Sequence, residues 1–426
     1  MAPLALLRTY SQTPVAKEMA VLFGGQFVTA AAGLLLGKAT ASYVPPTELG
    51  SYNLLLSGMT LAHVVLIVPI LQSFKAEQAR VGVNAALGFH RRLLSGTYAG
   101  LVGTLLLTGY LSQALPLALL MSAAVVGQGI QTGSLDYLNL AGQQRRYTAF
   151  QIGYALANLC VFSLVVIYVN PPTALALWGC LAVANTLFAA LTLHAATHVQ
   201  QPAPKPHPTT GDRASWRRFW PYARPLVALS GWGWIINYGD RYLISLYLSE
   251  ADVGQYSVGY GLGAKLVLLV SPFVAHSSRR VYALRAANTP LRAVWPTQRT
   301  YLLTYAALGG LACLLFYVLR QPLGLLLLSA TYETAFAIGP VVATGYLLLT
   351  LVHLLEVQWY AYGLTKLVLW NNVAGAFANV GFNLLLLPRF GLMGSAYAAL
   401  LGFAVQLLTA ALLYRRALRT STLPSS

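Results

Sequence analysis

Apolar stretches of about twenty residues recur along the chain, separated by short breaks rich in Lys, Arg, Pro and Gly. An α-helix needs about that length to cross ~30 Å of hydrocarbon. Windows bounded by charge, Pro and Gly predict twelve spans, at roughly 19–43, 50–73, 93–113, 115–140, 148–169, 173–194, 226–249, 253–274, 300–319, 335–362, 367–387 and 392–414. The stretch 320–334, around QPLGLLLLSATYET, is apolar but too short to span, and reads as interfacial. The pattern therefore predicts an all-α polytopic membrane protein with about twelve transmembrane helices.

The polar breaks also organise the chain into halves. The longest, 195–225, contains QPAPKPHPTTGDRASWRR, whose prolines and bases make a poor helix and a reasonable linker. It separates an N-terminal six-helix lobe, 1–194, from a C-terminal one, 226–426, which ends in a short basic tail. TELGSYNLLLSG opens the second span and ADVGQYSVGYGL the eighth, so Gly50 and Tyr52 map onto Gly254 and Tyr256. Pro69 and Pro272 fall in register after one gap. Lobes with an even number of spans share one orientation, which makes this a parallel pseudo-repeat. Two such bundles would enclose a central cleft able to open to either side.

Composition agrees: 57% of residues are hydrophobic and 9% charged, against roughly 25% charged in soluble domains. A net charge of +17 is also found in nucleic-acid binders, but its distribution argues for topology. In the twelve-span layout, 22 of the 27 Lys and Arg fall in the termini and alternate loops, two (Arg320 and Arg389) on the other side, and three within spans. That asymmetry predicts both termini in the cytoplasm and no nucleic-acid partner. The apolar run in MAPLALLRTYSQTPVAKE is too short for a cleavable signal peptide, so the first span is expected as a retained anchor. Cys160, Cys180 and Cys313 sit in apolar runs without a CxxC or a His partner at ligand spacing, which indicates neither disulfides nor a metal site.

A charge near the bilayer centre costs at least ~2.5 kcal/mol, so the six left within spans are the functional candidates. On the seventh span Ser230, Trp234, Asn237, Arg241 and Ser245 form one polar stripe, and Asp240 adjoins Arg241. Two readings stand for Arg241: it lines the cleft, or it pairs structurally with Asp240 or a neighbouring helix. Lys265 lies about twelve residues into its span, in line with Ser257 and Gly261, and is expected in the cleft. Lys38 is placed either to line the cleft or to snorkel to the outer interface. On the tenth span Tyr346, Thr350, His353, Glu356 and Tyr360 share a stripe, and His353 and Glu356, three apart, can share a face. Histidine titrates near neutrality, which makes this pair the best proton-coupling candidate; an interhelical hydrogen-bond cluster is the alternative. Asp136, with Gln128, Thr132, Asn139 and Gln143, is a further coupling candidate or an interfacial residue, and His63 reads as interfacial. Asn372, Asn379 and Asn383, with Gly375 and Ala376 between, read as helix-packing amides.

No GxSxG, Walker A, HExxH, paired-carboxylate or DxD constellation occurs, and the outer loops are short. Transport without covalent chemistry and without a cofactor is therefore expected, in preference to a membrane-embedded glycan polymerase or ligase. With no ATP site, the driving force would be an ion gradient (H+ or Na+), the membrane potential or the substrate's own gradient.

Two stretches carry a family resemblance. NYGDRYLISLYLSEADVGQYSVGYGLGAKL, Asn237 to Leu266, is similar to the DR-x-x-L…LG-x-x-x-VG-x-Y-S pattern of bacterial polysaccharide (O-antigen) flippases. NNVAGAFANVGFNLLLLPRFGLMGSAYAALLGF resembles their C-terminal segment, with Asn379, Asn383, Pro388, Gly391 and Gly394 in matching places and Ser395 where alanine is usual. These flippases belong to the multidrug/oligosaccharidyl-lipid/polysaccharide (MOP) exporter superfamily. The resemblance implies a bacterial inner-membrane protein that moves a polyprenyl-diphosphate-linked oligosaccharide from the cytoplasmic to the periplasmic leaflet, alongside other membrane proteins of polysaccharide assembly. It places Arg241 in a cationic cleft for the diphosphate, whereas Lys265 and Lys38 join it by position alone. Guanidinium suits phosphate oxygens, and Tyr256, Tyr260 and Tyr346 are candidates to stack on sugars. A cation-coupled multidrug exporter of the same superfamily is the alternative within transport.

Overall fold

The computed structural model describes residues 14–81, 83–199, 212–268 and 271–420. Among these the chain is helical throughout, with no strand. The helices are α1 (Pro14–Tyr43), α2 (Pro46–Ala62), α3 (Val68–Val81), α4 (Val83–Leu111), α5 (Leu115–Leu140), α6 (Gln144–Tyr168) and α7 (Ala174–Thr197). They continue as α8 (Asp212–Tyr247), α9 (Glu250–Leu268), α10 (Ser271–Ala286), α11 (Leu291–Val318), α12 (Arg320–Leu327), α13 (Glu333–Ala361) and α14 (Thr365–Thr420). Each predicted span coincides with helix. Among the described residues, eight segments are long and apolar enough to cross a membrane on that ground alone, the last of them, Thr365–Leu418, long enough for two crossings. Helices α8 and α9, which carry Asp240, Arg241 and Lys265, are not among the eight, because aromatic, amide and charged side chains dilute their apolar content.

Departures from regular helix have local causes. A single π-helical turn, His63–Ile67, joins α2 to α3. Pro69 follows it; a proline offers no N–H to the carbonyl four residues back and crowds it, and a widened turn accommodates both. Helix α14 is two helices joined at Gly391, whose φ of 56° lies in the left-handed region, where a side chain would be strained. That joint separates the two spans predicted at 367–387 and 392–414. The interfacial stretch folds as α12 and a 3-10 turn at Ala330–Tyr332, with Arg320 lying 4.8 Å from the centre of the Tyr317 ring.

The chain divides into two compact units. Unit 1 comprises residues 1–44 and 58–228; unit 2 comprises 45–57 and 229–426. Helix α8 starts at Asp212, inside the stretch expected to be a non-helical linker, and holds Pro221 and Pro225. Tertiary packing outweighs the two lost backbone hydrogen bonds. Phe219 and Ala223 bury against Ile70, and Phe89, Trp216 and Phe219 meet edge to face. The segment 200–211 lies outside the described residues.

Within unit 2 the start of α2 crosses the start of α9 at the repeated glycines. A Cβ on Gly50 would sit 1.7 Å from the Glu250 carbonyl oxygen, and one on Gly254 would sit 2.0 Å from that of Pro46. The contact is reciprocal: the offset that maps Gly50 onto Gly254 also maps Pro46 onto Glu250. Each backbone packs on its counterpart where only a missing side chain leaves room. Ser51 adds a hydroxyl hydrogen bond to the Glu250 carboxylate.

Candidate functional site

In unit 2 the polar face of α8 is built into the lobe. Asp240 is 1% exposed and Arg241 7%. The Asp240 carboxylate accepts hydrogen bonds from the Tyr256 hydroxyl (2.6 Å) and from the Arg241 backbone N–H (2.9 Å). The Arg241 guanidinium lies 3.7 Å from that carboxylate and donates to the Asn237 carbonyl (2.8 Å) and the Ser257 hydroxyl (3.3 Å). The Tyr238 and Tyr260 rings flank it at 4.8 and 5.2 Å. Tyr346 closes the cage, donating to Tyr260 Oη (3.1 Å) and, over 3.4 Å, to Asn237 Oδ1. A buried charge of each sign is thus paired, hydrogen-bonded and covered by π faces, the condition under which such burial is tolerated.

Arg241 and Asp240, the two charges of the predicted stripe, are thus paired with each other. Tyr256 and Tyr260, sequence candidates for sugar stacking, are buried at 0% and 4% and serve the cage. They point inward because α9 lays that face on α13: Tyr256, Tyr260, Ile338 and Val342 share one core cluster. Tyr238, beside the guanidinium, is a cage member the stripe did not single out.

Lys265 is not a member of this cage. It projects from α9 on the face opposite Tyr256 and Tyr260, below Ser257 and Gly261, and its side chain is exposed on the lobe. The other half of the polar stripe on α8 meets α2: the Trp234 indole N–H donates to the Ser57 carbonyl (2.8 Å) and the Tyr242 hydroxyl to that of Leu54 (3.0 Å).

A second polar centre surrounds Glu356, 4% exposed on α13. Its carboxylate accepts from the side-chain amides of Asn371 (3.1 Å) and Asn372 (3.4 Å) on α14. His353 does not join it; its side chain is exposed while that of Glu356 turns into the lobe. Asn372, expected to be a packing amide, serves the carboxylate instead, and its neighbour Asn371 was visible in the sequence only as one half of an Asn-Asn pair. Asn379 and Asn383 do pack helices: Ser395, beyond the Gly391 joint, donates to Asn383 Oδ1 (2.8 Å), and Asn383 donates back to the Asn379 carbonyl (3.0 Å).

In unit 1, Asp136 on α5 forms a half-exposed ion pair with Lys75 on α3 at 2.5 Å. Glu77 and Arg218 make a second pair at 3.4 Å. Lys38 is half-buried on α1, and His63 is buried in the π turn. Among the described residues no group of three or more His, Cys, Asp and Glu is placed to hold a metal ion.

No family model matches the chain, and no curated protein matches it in sequence. Solved structures match its fold. The lipid II flippase MurJ, in an inward closed conformation, superposes with a TM-score of 0.73 at 12% identity, covering 93% of this chain and 87% of that one. An inward-facing multidrug resistance MATE family transporter of the MOP superfamily gives 0.70 at 12% identity, covering 93% and 96%. An outward-facing one gives 0.62 at 11% identity over 95% of each chain. At such identities the likeness is one of fold: the chain shares the all-α fold of these solved transporters.

Proposed function

We propose that the chain is a membrane flippase that carries a polyprenyl-diphosphate-linked oligosaccharide from the cytoplasmic to the periplasmic leaflet by alternating access. The observation that carries this reading is the placement of three in-span charges of unit 2. The acids Asp240 and Glu356 are withdrawn into the lobe and satisfied there, whereas Lys265 stands exposed on α9. A diphosphate entering a protein path loses hydration, and an accessible ammonium offsets part of that cost. Lys265 is the contact for the diphosphate, and the lipid tail remains in the bilayer. Arg241 and Asp240 act indirectly, holding α8 and α9 together so that Lys265 is presented. The two kinds of solved relative divide between a lipid-linked substrate and drugs, so their fold supports transport and the charge pattern supports the anionic cargo.

Purified protein in vesicles is expected to translocate a labelled polyprenyl-diphosphate saccharide, and Lys265→Gln to slow it about tenfold, the effect of one lost charge-assisted contact. Absence of translocation by the unaltered protein overturns the proposal.

One observation favours the cation-coupled exporter as a second reading. Glu356 is a buried carboxylate whose recorded partners are amides and not bases, which suits exchange of a proton or Na+. Glu356→Gln is expected to abolish dependence on an imposed pH or Na+ gradient. If the gradient dependence is unchanged, coupling does not pass through Glu356. Efflux of cationic drugs together with inactivity toward lipid-linked saccharides would establish the second reading over the first.

A further inference from the structure

On unit 2, α11, α13 and α14 enclose an apolar groove of about 530 Å³. Leu302, Leu303 and Ala306 form one wall, Leu351 and Leu355 the floor, and Leu407 and Ala411 the other wall. One end is of different chemistry: Trp295 and Tyr414 line it with ring centres 5.0 Å apart, next to Arg415. Arg415 is exposed, as are Arg292, Arg299 and Arg416 on the same two helix ends. No acid lines the groove.

Its length is set by the helices that wall it. From Trp295 to Ala306, and from Leu407 to Leu418, are eleven residue steps, or ~16 Å of rise. That is close to one leaflet of a ~30 Å hydrocarbon core. Exposed Leu303, Leu408 and Leu412 continue the apolar surface beside it. Trp295 and the arginines stand where amphipathic and basic side chains meet lipid headgroups, whereas Tyr414 is buried and donates its hydroxyl to Gln358 (2.7 Å).

We propose that this groove is a binding site for one anionic phospholipid, with an acyl chain between α11 and α14 and the phosphate on Arg415. The charge at the Arg415 end selects the anionic headgroup, and the one-leaflet length selects an acyl chain over a polyprenyl chain, which would overrun it. The site is separate from Lys265 and does not depend on the cargo proposed above. By bridging α11 and α14, the lipid serves as a structural ligand of this lobe.

Native mass spectrometry of the full-length protein, delipidated and then offered phosphatidylglycerol, phosphatidylethanolamine or polyprenyl phosphate, tests this. Phosphatidylglycerol is expected to be retained in preference, and Arg415→Gln to reduce its retention about fivefold, as expected for one basic residue at the surface. Ala411→Trp, which fills the groove, is expected to abolish retention of every lipid at the site. Equal retention of the two phospholipids, or a preference for polyprenyl phosphate, overturns the proposal. Unchanged phosphatidylglycerol retention in Arg415→Gln does so even if Ala411→Trp fails to fold.

Discussion

The two units handle charge in opposite ways. Unit 1 keeps its ion pairs, Lys75 with Asp136 and Arg218 with Glu77, partly exposed, where solvent shares their solvation. Unit 2 takes Asp240 and Arg241 out of solvent and must supply every compensating contact itself, from Tyr256, Ser257, Asn237, Tyr238 and Tyr260. The first arrangement is optional for folding; the second is not, because either partner alone would be a buried, uncompensated charge. Chemically similar pairs therefore differ severalfold in what they contribute, and burial decides which is which.

The largest break in that contrast is Asp240→Ala. It leaves the guanidinium without its counter-ion and is expected to lower stability by ~3–5 kcal/mol, read by denaturant unfolding in detergent. Adding Arg241→Met should recover much of the loss. A double variant as unstable as the sum of the two singles would mean that the pair is not the reason for the cost.

Next in size is Gly254→Val. The side chain would meet the Pro46 backbone, which cannot rotate away, and overpacking of this kind costs ~1–3 kcal/mol. A thermal midpoint equal to that of the unaltered protein would show that α2 and α9 do not cross there. The smallest effect belongs to unit 1: Lys75→Ala is expected to cost at most ~1 kcal/mol, as half-exposed pairs do. A loss as large as that of Asp240→Ala would erase the distinction between the units.

Much of this architecture was legible in the sequence because apolar runs of membrane length report on helix directly. The Gly50 and Gly254 match was legible too, since a backbone crossing requires the same missing side chain on both helices. What escaped was decided by contacts between distant segments. The prolines at 221 and 225 signalled a break, and only the packing of Phe219 and Ala223 against Ile70 outweighs them. Tyr256 and Tyr260 look alike to any pattern that seeks aromatic platforms; the packing of α9 on α13 turns both inward. His353 and Glu356 have the spacing of a pair, yet a separation of three residues leaves ~60° between side chains on a helix, enough to put one outside and the other within.

The central claim is that Lys265 on α9 receives an anionic lipid-linked cargo. The initial rate of polyprenyl-diphosphate saccharide translocation in vesicles, compared among the unaltered protein, Lys265→Arg and Lys265→Gln, addresses it most directly. Near-normal transport with arginine and about a tenfold loss with glutamine is the predicted result. Equal rates in all three would contradict it.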